Sequence, residues 1–91
     1  MKQQLTVVSL GPGDTRLLTL EGAEALRAAK RLFLRTERHG VAAWLREQNI
    51  PFEALDGLYD VHDGFDSLHR AMATTLWCAA ASQPVIFGVM D

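Results

Sequence analysis

Residues 5–19 read L-T-V-V-S-L-G-P-G-D-T-R-L-L-T, and this stretch predicts the fold. Its first half is rich in apolar and β-branched residues, which favour a buried strand. The run Gly11-Pro12-Gly13-Asp14 then breaks the strand, because glycine permits unusual backbone angles and proline fixes one φ. Thr19 is predicted to cap the helix that follows. Because ligands of open α/β sheets bind at the carboxyl ends of strands, this turn is the first candidate site.

The glycine turn does not match the two common nucleotide-binding motifs. A dinucleotide fingerprint requires G-x-G-x-x-G, and Arg16 stands at the third glycine position. A P-loop requires Gly-Lys-Ser/Thr, which does not follow the turn. Gly and Pro are also ordinary turn residues, so a strand-to-helix turn without a ligand stays open as an alternative.

The rest of the chain alternates between short apolar runs and helical patterns. Further strands are predicted at 32–34, 52–55 and 85–89, and helices at about 19–29, 41–48 and 65–81. Apolar runs without polar alternation are typical of central parallel strands. We therefore expect an α/β fold, with a mostly parallel sheet and flanking helices, formed by residues 1–91 as one small domain.

A polar segment, Arg35-Thr36-Glu37-Arg38-His39, directly follows the second predicted strand. This position again lies at the carboxyl edge of a parallel sheet. The segment is either a loop that faces a ligand or partner, or a solvated loop with local ion pairs. His39 lies in this segment, and histidine is a common general acid or base. One histidine on a loop is weak support for catalysis.

Metal and thiol chemistry find little support in the sequence. Asp60, His62 and Asp63 are possible metal ligands, but their spacing matches neither an EF-hand nor H-E-x-x-H. Another role is predicted for Asp63 or Asp66, as the cap of the third helix. Cys78 is the only cysteine, so no disulfide forms within the chain. No metal site and no catalytic thiol are predicted.

The composition excludes several classes of partner. The net charge is −2, and acidic and basic residues are interspersed, so no nucleic-acid or acidic-membrane partner is expected. No apolar run approaches the roughly 20 residues of a membrane span, and the start of the chain lacks a signal-peptide pattern. We expect a soluble, cytoplasmic protein that acts on a small molecule.

Two stretches of the chain resemble one protein family. Gly-Pro-Gly-Asp after a first apolar strand, followed by Leu-Leu-Thr at 17–19, resembles the opening of the tetrapyrrole (corrin/porphyrin) methylases. These are S-adenosylmethionine-dependent methyltransferases built from two α/β domains. The run L-R-T-E-R-H at 34–39 resembles one branch, in which this domain is fused to a MazG-type nucleotide pyrophosphohydrolase. The resemblance covers the whole chain and implies the N-terminal half of the two-domain fold, without the second domain.

The resemblance also implies a set of site residues. Contacts to S-adenosylmethionine are expected from Gly11, Pro12, Gly13, Asp14 and Asp91. The methyl acceptor is expected to border Arg35, Thr36, Glu37, Arg38 and His39. No catalytic residue is assigned, because the sulfonium leaving group is already activated. Ser9 and Met90 depart from the family's usual residues.

Three functions follow from these patterns. The chain is predicted to be part of a methyltransferase that is inactive alone, since methyl transfer requires a closed pocket. The alternative is a non-catalytic ligand-binding or assembly module of a MazG-type fusion protein. A weaker third hypothesis is a nicotinamide-dependent oxidoreductase that uses Glu37 as its ribose-binding acid. In each case, uncovered sheet edges and faces predict self-association or packing against a second half.

Overall fold

A computed structural model describes residues 3–58 and 64–90. Within these residues, four strands and three helices match the predicted elements to within a few residues at each end. The strands are β1 (Leu5–Ser9), β2 (Arg31–Leu34), β3 (Glu53–Ala54) and β4 (Val85–Val89). The helices are α1 (Leu20–Ala28), α2 (Gly40–Glu47) and α3 (Phe65–Ala80), with a 3-10 turn at Thr15–Leu17. The chain therefore has the α/β organisation expected from its sequence.

The described strands form one sheet in the order β1-β4-β2-β3, and each neighbouring pair is parallel. Helices α1 and α2 pack on one face of the sheet, and α3 packs on the other. Crossovers between parallel strands are right-handed. Helices α1 and α2 connect strands in the direction from β1 towards β3, whereas α3 connects β3 to β4 in the opposite direction. The right-handed rule therefore places α3 on the opposite face. The parallel sheet with flanking helices is thus confirmed.

Two apolar cores lie on the two faces of the sheet, because successive side chains of a strand point to opposite sides. In β2, Phe33 faces the α3 side, while Leu32 and Leu34 face the α1 and α2 side. The α3 core also contains Leu55, Leu68, Met72, Leu76 and Val85. The α1 and α2 core also contains Leu10, Leu26, Val41 and Leu45.

The helix starts confirm one predicted cap and correct another. The Thr19 hydroxyl accepts a hydrogen bond from Gly22 N at 2.9 Å, as expected for the cap of α1. Helix α3 begins after Gly64 without a side-chain cap, so the prediction that Asp66 caps it is wrong. Asp66 lies inside the first turn, where its charge still suits the positive end of the helix dipole. Asp63 lies outside the described residues.

Gly88 lets two leucines meet across the middle of the sheet. A Cβ at this position would lie 2.9 Å from Leu34 Cδ2 and 3.2 Å from Leu10 Cδ1. Both leucines are fully buried, so neither can move aside without disturbing the core.

We expect Gly88→Ala to lower the free energy of unfolding by about 1–3 kcal/mol, because it overpacks this core. Urea unfolding measures the change. Gly57→Ala is the matched control, since a Cβ at Gly57 meets no atom within 4 Å. Equal effects of the two substitutions would show that the close contact at Gly88 does not limit packing.

Candidate functional site

Three segments meet at the carboxyl edge of the sheet, because all described strands are parallel. The glycine turn at 11–14 follows β1, the polar loop at 35–39 follows β2, and Met90 follows β4. We call this edge the rim. The rim brings the glycine turn and the polar loop side by side, as the sequence predicts for residues that follow parallel strands.

The glycine turn needs both of its glycines. Gly11 has a φ of 62° and Gly13 a φ of 90°, in the left-handed region that side-chain-bearing residues rarely adopt. The turn is closed by a hydrogen bond of 3.4 Å from Gly13 N to Leu10 O. Between the two glycines, Pro12 is exposed. The main chain therefore reverses at the rim with little side-chain cover around Pro12.

The inner side of Gly13 is covered by the chain's own side chains. A Cβ at Gly13 would lie 2.6 Å from Met90 Sδ and 2.9 Å from His39 Cβ. Gly11 differs, because the nearest atom to its Cβ position is Leu17 O at 3.4 Å. A ligand can therefore approach the turn at Gly11 and Pro12, whereas Gly13 serves the packing between the turn and the polar loop.

Hydrogen bonds join the glycine turn to the start of α2. Val41 N donates to Gly13 O at 3.1 Å, and Thr15 Oγ1 donates to Gly40 O at 3.3 Å. These bonds use the main chain of α2 at its first turn. The turn and the start of α2, which directly follows the polar loop, therefore hold each other in place.

The Asp14 carboxylate has a structural role in the turn. Its Oδ1 accepts a hydrogen bond from Arg16 N at 2.9 Å, and so caps the 3-10 turn. Its Oδ2 lies 2.8 Å from the Arg16 guanidinium. The side-chain hydrogen bond from Arg16 is the main cause that lowers the pKa of Asp14. The carboxylate thus stabilises the turn, and a direct contact with a cofactor would compete with this cap.

The polar loop is held by its own hydrogen bonds and by Asp56. Arg38 N donates to Thr36 Oγ1 at 3.2 Å, and Glu37 N donates to Asp56 Oδ2 at 2.9 Å. The Glu37 carboxylate pairs with Arg46 at 2.8 Å. Local ion pairs and a defined loop are therefore both present, and the Glu37 carboxylate is directed to α2.

Sequence analysis missed Asp56 as a rim residue. It follows β3 closely, and β3 lies next to β2, so the fold brings it to the polar loop. Burial alone would raise the pKa of Asp56, but hydrogen bonds from Glu37 N and the Thr36 side chain lower it, and the charge of Arg38 acts in the same direction. The pKa is lowered overall, so Asp56 is an ionised anchor. The sequence signal that could have identified Asp56 as a rim residue is its position directly after a predicted strand.

His39 caps α2. Its Nδ1 accepts a hydrogen bond from Ala42 N at 3.3 Å. A neutral imidazole carries one proton, so this bond places that proton on Nε2. His39 therefore offers a hydrogen-bond donor on its other nitrogen while its ring is fixed by the cap.

A small cavity of about 190 Å³ opens at the rim. It is lined by Arg35, Thr36, His39, Gly88 and Met90. Pockets that enclose small ligands usually measure about 300–1,000 Å³, so this cavity holds only part of such a ligand.

A larger groove, of about 520 Å³, lies beside β1 and includes Gly11 among its lining residues. The structure therefore places three of the five predicted acceptor residues and Gly11 in different depressions. The other predicted site residues among the described ones line neither depression: Pro12, Gly13, Asp14, Glu37 and Arg38. Asp91 lies outside the described residues.

The described part of the chain contains neither a candidate metal cluster nor a membrane-spanning helix. Within residues 3–58 and 64–90, no group of three or more His, Cys, Asp or Glu residues is placed to hold a metal ion. Asp60, His62 and Asp63 lie outside these ranges. No helix in the same ranges is long and apolar enough to cross a membrane.

We expect Asp56→Asn to lower the free energy of unfolding at neutral pH by on the order of 1 kcal/mol, because it weakens charge-assisted hydrogen bonds. A folded-state pKa below the unfolded value stabilises at higher pH, and the stabilisation is lost as pH falls through the folded pKa. The difference between wild type and variant should therefore shrink in acid. Urea unfolding over a pH series tests this, with Glu24→Gln on exposed α1 as the control.

Comparison with known proteins identifies one family. The family model for tetrapyrrole (corrin/porphyrin) methylases matches residues 4–89. A curated relative, "Uncharacterized protein YabN" of Bacillus subtilis (strain 168), is 32% identical over 89 residues, which cover 98% of this chain and 18% of the relative. The chain thus spans less than a fifth of that relative's length. No solved structure gives a significant match. Together, the matched residues and the α/β fold show that the chain belongs to the tetrapyrrole (corrin/porphyrin) methylase family.

Proposed function

We propose that the rim forms one wall of a methyltransferase cleft that binds S-adenosylmethionine and a small-molecule methyl acceptor. Membership of the tetrapyrrole methylase family supports the reaction class. The observation that carries the proposal is that the glycine turn meets, at the carboxyl edge, the start of the helix that follows the polar loop, where Val41 N of α2 donates to Gly13 O. When bound, the cofactor supplies a methyl group on an activated sulfonium.

The residues present fit part of this cofactor. Gly11 and the exposed Pro12 leave main chain open to a ligand, which suits close approach of a cofactor. The cavity of about 190 Å³ is too small to enclose donor and acceptor together. Because methyl transfer depends on holding both in line, the described residues alone provide a binding wall and no closed reaction chamber.

The acceptor side offers hydrogen-bond donors. Arg35 and His39 line the small cavity beside Thr36, whose hydroxyl already bonds Asp56, and the cap of α2 keeps the His39 Nε2 proton in place. These groups favour an acceptor with oxygen or nitrogen lone pairs over an apolar one. Their role is to orient the acceptor, and no residue is assigned as a general base.

The proposal predicts binding of S-adenosylhomocysteine at the rim. Titration followed by amide NMR should shift the signals of Gly11, Gly13 and Gly88, because all three lie at or beside the rim. Ala81 and Ser82 provide internal controls, since they lie in the turn that precedes β4, at the opposite edge of the sheet. We expect affinity in the micromolar range or weaker, as for a partial site. Equal shifts at all five residues, or none at saturating ligand, would contradict the proposal.

One observation favours a second function, a non-catalytic ligand-binding or assembly module. Met90 and His39 cover the inner side of Gly13, and Asp14 is engaged by Arg16, so part of the predicted cofactor surface is already used. The resemblance of residues 34–39 to the branch fused to MazG-type enzymes supports such a role within a larger protein. Absence of S-adenosylhomocysteine binding in the titration favours this function.

A further inference from the structure

The imidazole of His39 has two partners that favour different charge states. Its Nδ1 accepts a hydrogen bond from Ala42 N at 3.3 Å, and this bond requires a neutral ring, because both nitrogens of a protonated imidazole are donors. A protonated His39 interacts favourably with the Asp56 carboxylate, which lies after β3. The cap of α2 therefore favours the neutral ring, whereas Asp56 favours the charged one.

The cap lies beside the contact between the glycine turn and the first turn of α2, which we call the joint. The joint consists of the bond from Val41 N to Gly13 O at 3.1 Å and the bond from Thr15 Oγ1 to Gly40 O at 3.3 Å. A Cβ at Gly13 would lie 2.9 Å from His39 Cβ, so the histidine side chain packs directly against the glycine turn. A movement of the ring is therefore transmitted to the joint.

The start of α2 responds to the charge of the ring. When Nδ1 is protonated, it is a donor that faces the N–H of Ala42, so the cap bond is lost. A positive ring at this place is also unfavourable because the N-terminus is the positive end of the helix dipole. Helix α2 has only eight residues, so its first turn is a large share of it. Protonation of His39 therefore weakens the turn of α2 that forms the joint.

The segments packed against the ring carry these charged residues: Arg35, Glu37 and Arg38 on the polar loop, Asp56 after β3, Arg46 on α2, and Asp14 and Arg16 in the glycine turn. Met90, which follows β4, is uncharged. The carboxylates of Glu37 and Asp14 are each paired with an arginine at 2.8 Å. The positive charges of Arg35 and Arg38 oppose a positive ring. The Asp56 carboxylate is thus the partner to which a charged ring is drawn.

We infer that His39 is a pH-responsive positioning residue, whose neutral imidazole holds the joint closed by capping α2, and whose protonated imidazole leaves the cap for Asp56 and loosens the joint. The groups that form this switch lie between Gly13 and Asp56, so it is built from contacts inside the domain. As pH falls through the midpoint of the His39 ring, the glycine turn separates from the start of α2. The rim is therefore ordered at higher pH and loosened in acid.

Hydrogen exchange of the whole chain, followed by NMR over a pH series, tests the inference. The ring signals of His39 give its midpoint. The Val41 amide reports on the joint, and comparison with the intrinsic exchange rate removes the direct effect of pH. We expect the opening constant of Val41 to rise about fivefold as pH falls through the His39 midpoint, the change expected for loss of a helix cap. The amide signals of Gly13 and Ala42 should shift with the same midpoint.

Two variants separate His39 from other titrating groups. His39→Asn keeps a capping oxygen at every pH, so the rise at Val41 should disappear, whereas a rise caused by Asp56 would persist. His69→Asn, on the exposed side of α3, is the matched control and should respond like wild type.

An opening constant of Val41 that stays constant across the His39 midpoint would overturn the inference, and so would a rise that the folded His39→Asn variant retains. If that variant does not fold, the wild-type midpoints alone decide, because a rise at Val41 away from the His39 midpoint also overturns it. The experiment uses no ligand. Its failure is therefore distinguishable from failure of the S-adenosylhomocysteine titration.

Discussion

The position of β4 between β1 and β2 is the constraint on which the rest of the structure depends. β4 pairs with β1 from Leu5 opposite Val85, and with β2 from Arg31 opposite Val85. Within the described residues, β1 reaches the rest of the sheet through β4 alone. The same strand supplies Gly88 and leads to Met90, which line the small cavity of the rim. Formation of the sheet and formation of the candidate site are therefore one event.

Several side chains that look like ligand contacts are used to shape the rim. Asp14 caps a 3-10 turn, His39 caps α2, and Glu37 pairs with Arg46. Such contacts fix the main chain of the rim before any ligand arrives, and preorganisation of this kind lowers the entropic cost of binding. These contacts are compatible with membership of the methylase family if the rim binds a ligand mainly through its main chain and a few hydrogen-bond donors.

The sequence predicted the elements better than their contacts. The apolar runs that became β1, β2 and β4, and the Thr19 cap, depend on local chemistry, so they could be identified by reading along the chain. The insertion of β4 between β1 and β2 depends on packing between distant residues and has no local signature. Asp56 was missed for the same reason, since its partner Glu37 lies 19 positions away. The His39 cap was missed because the usual capping residues are Ser, Thr, Asp and Asn.

The strand order also bears on how the chain is made on the ribosome. Leu5 pairs directly with Val85, which is synthesised 80 positions later. Throughout the intervening synthesis, the apolar first strand has no neighbour in its own sheet. Chains with such distant pairings fold slowly and expose aggregation-prone segments during synthesis. Chaperone contact during translation is therefore expected to concentrate on β1, and to be released when β4 leaves the exit tunnel.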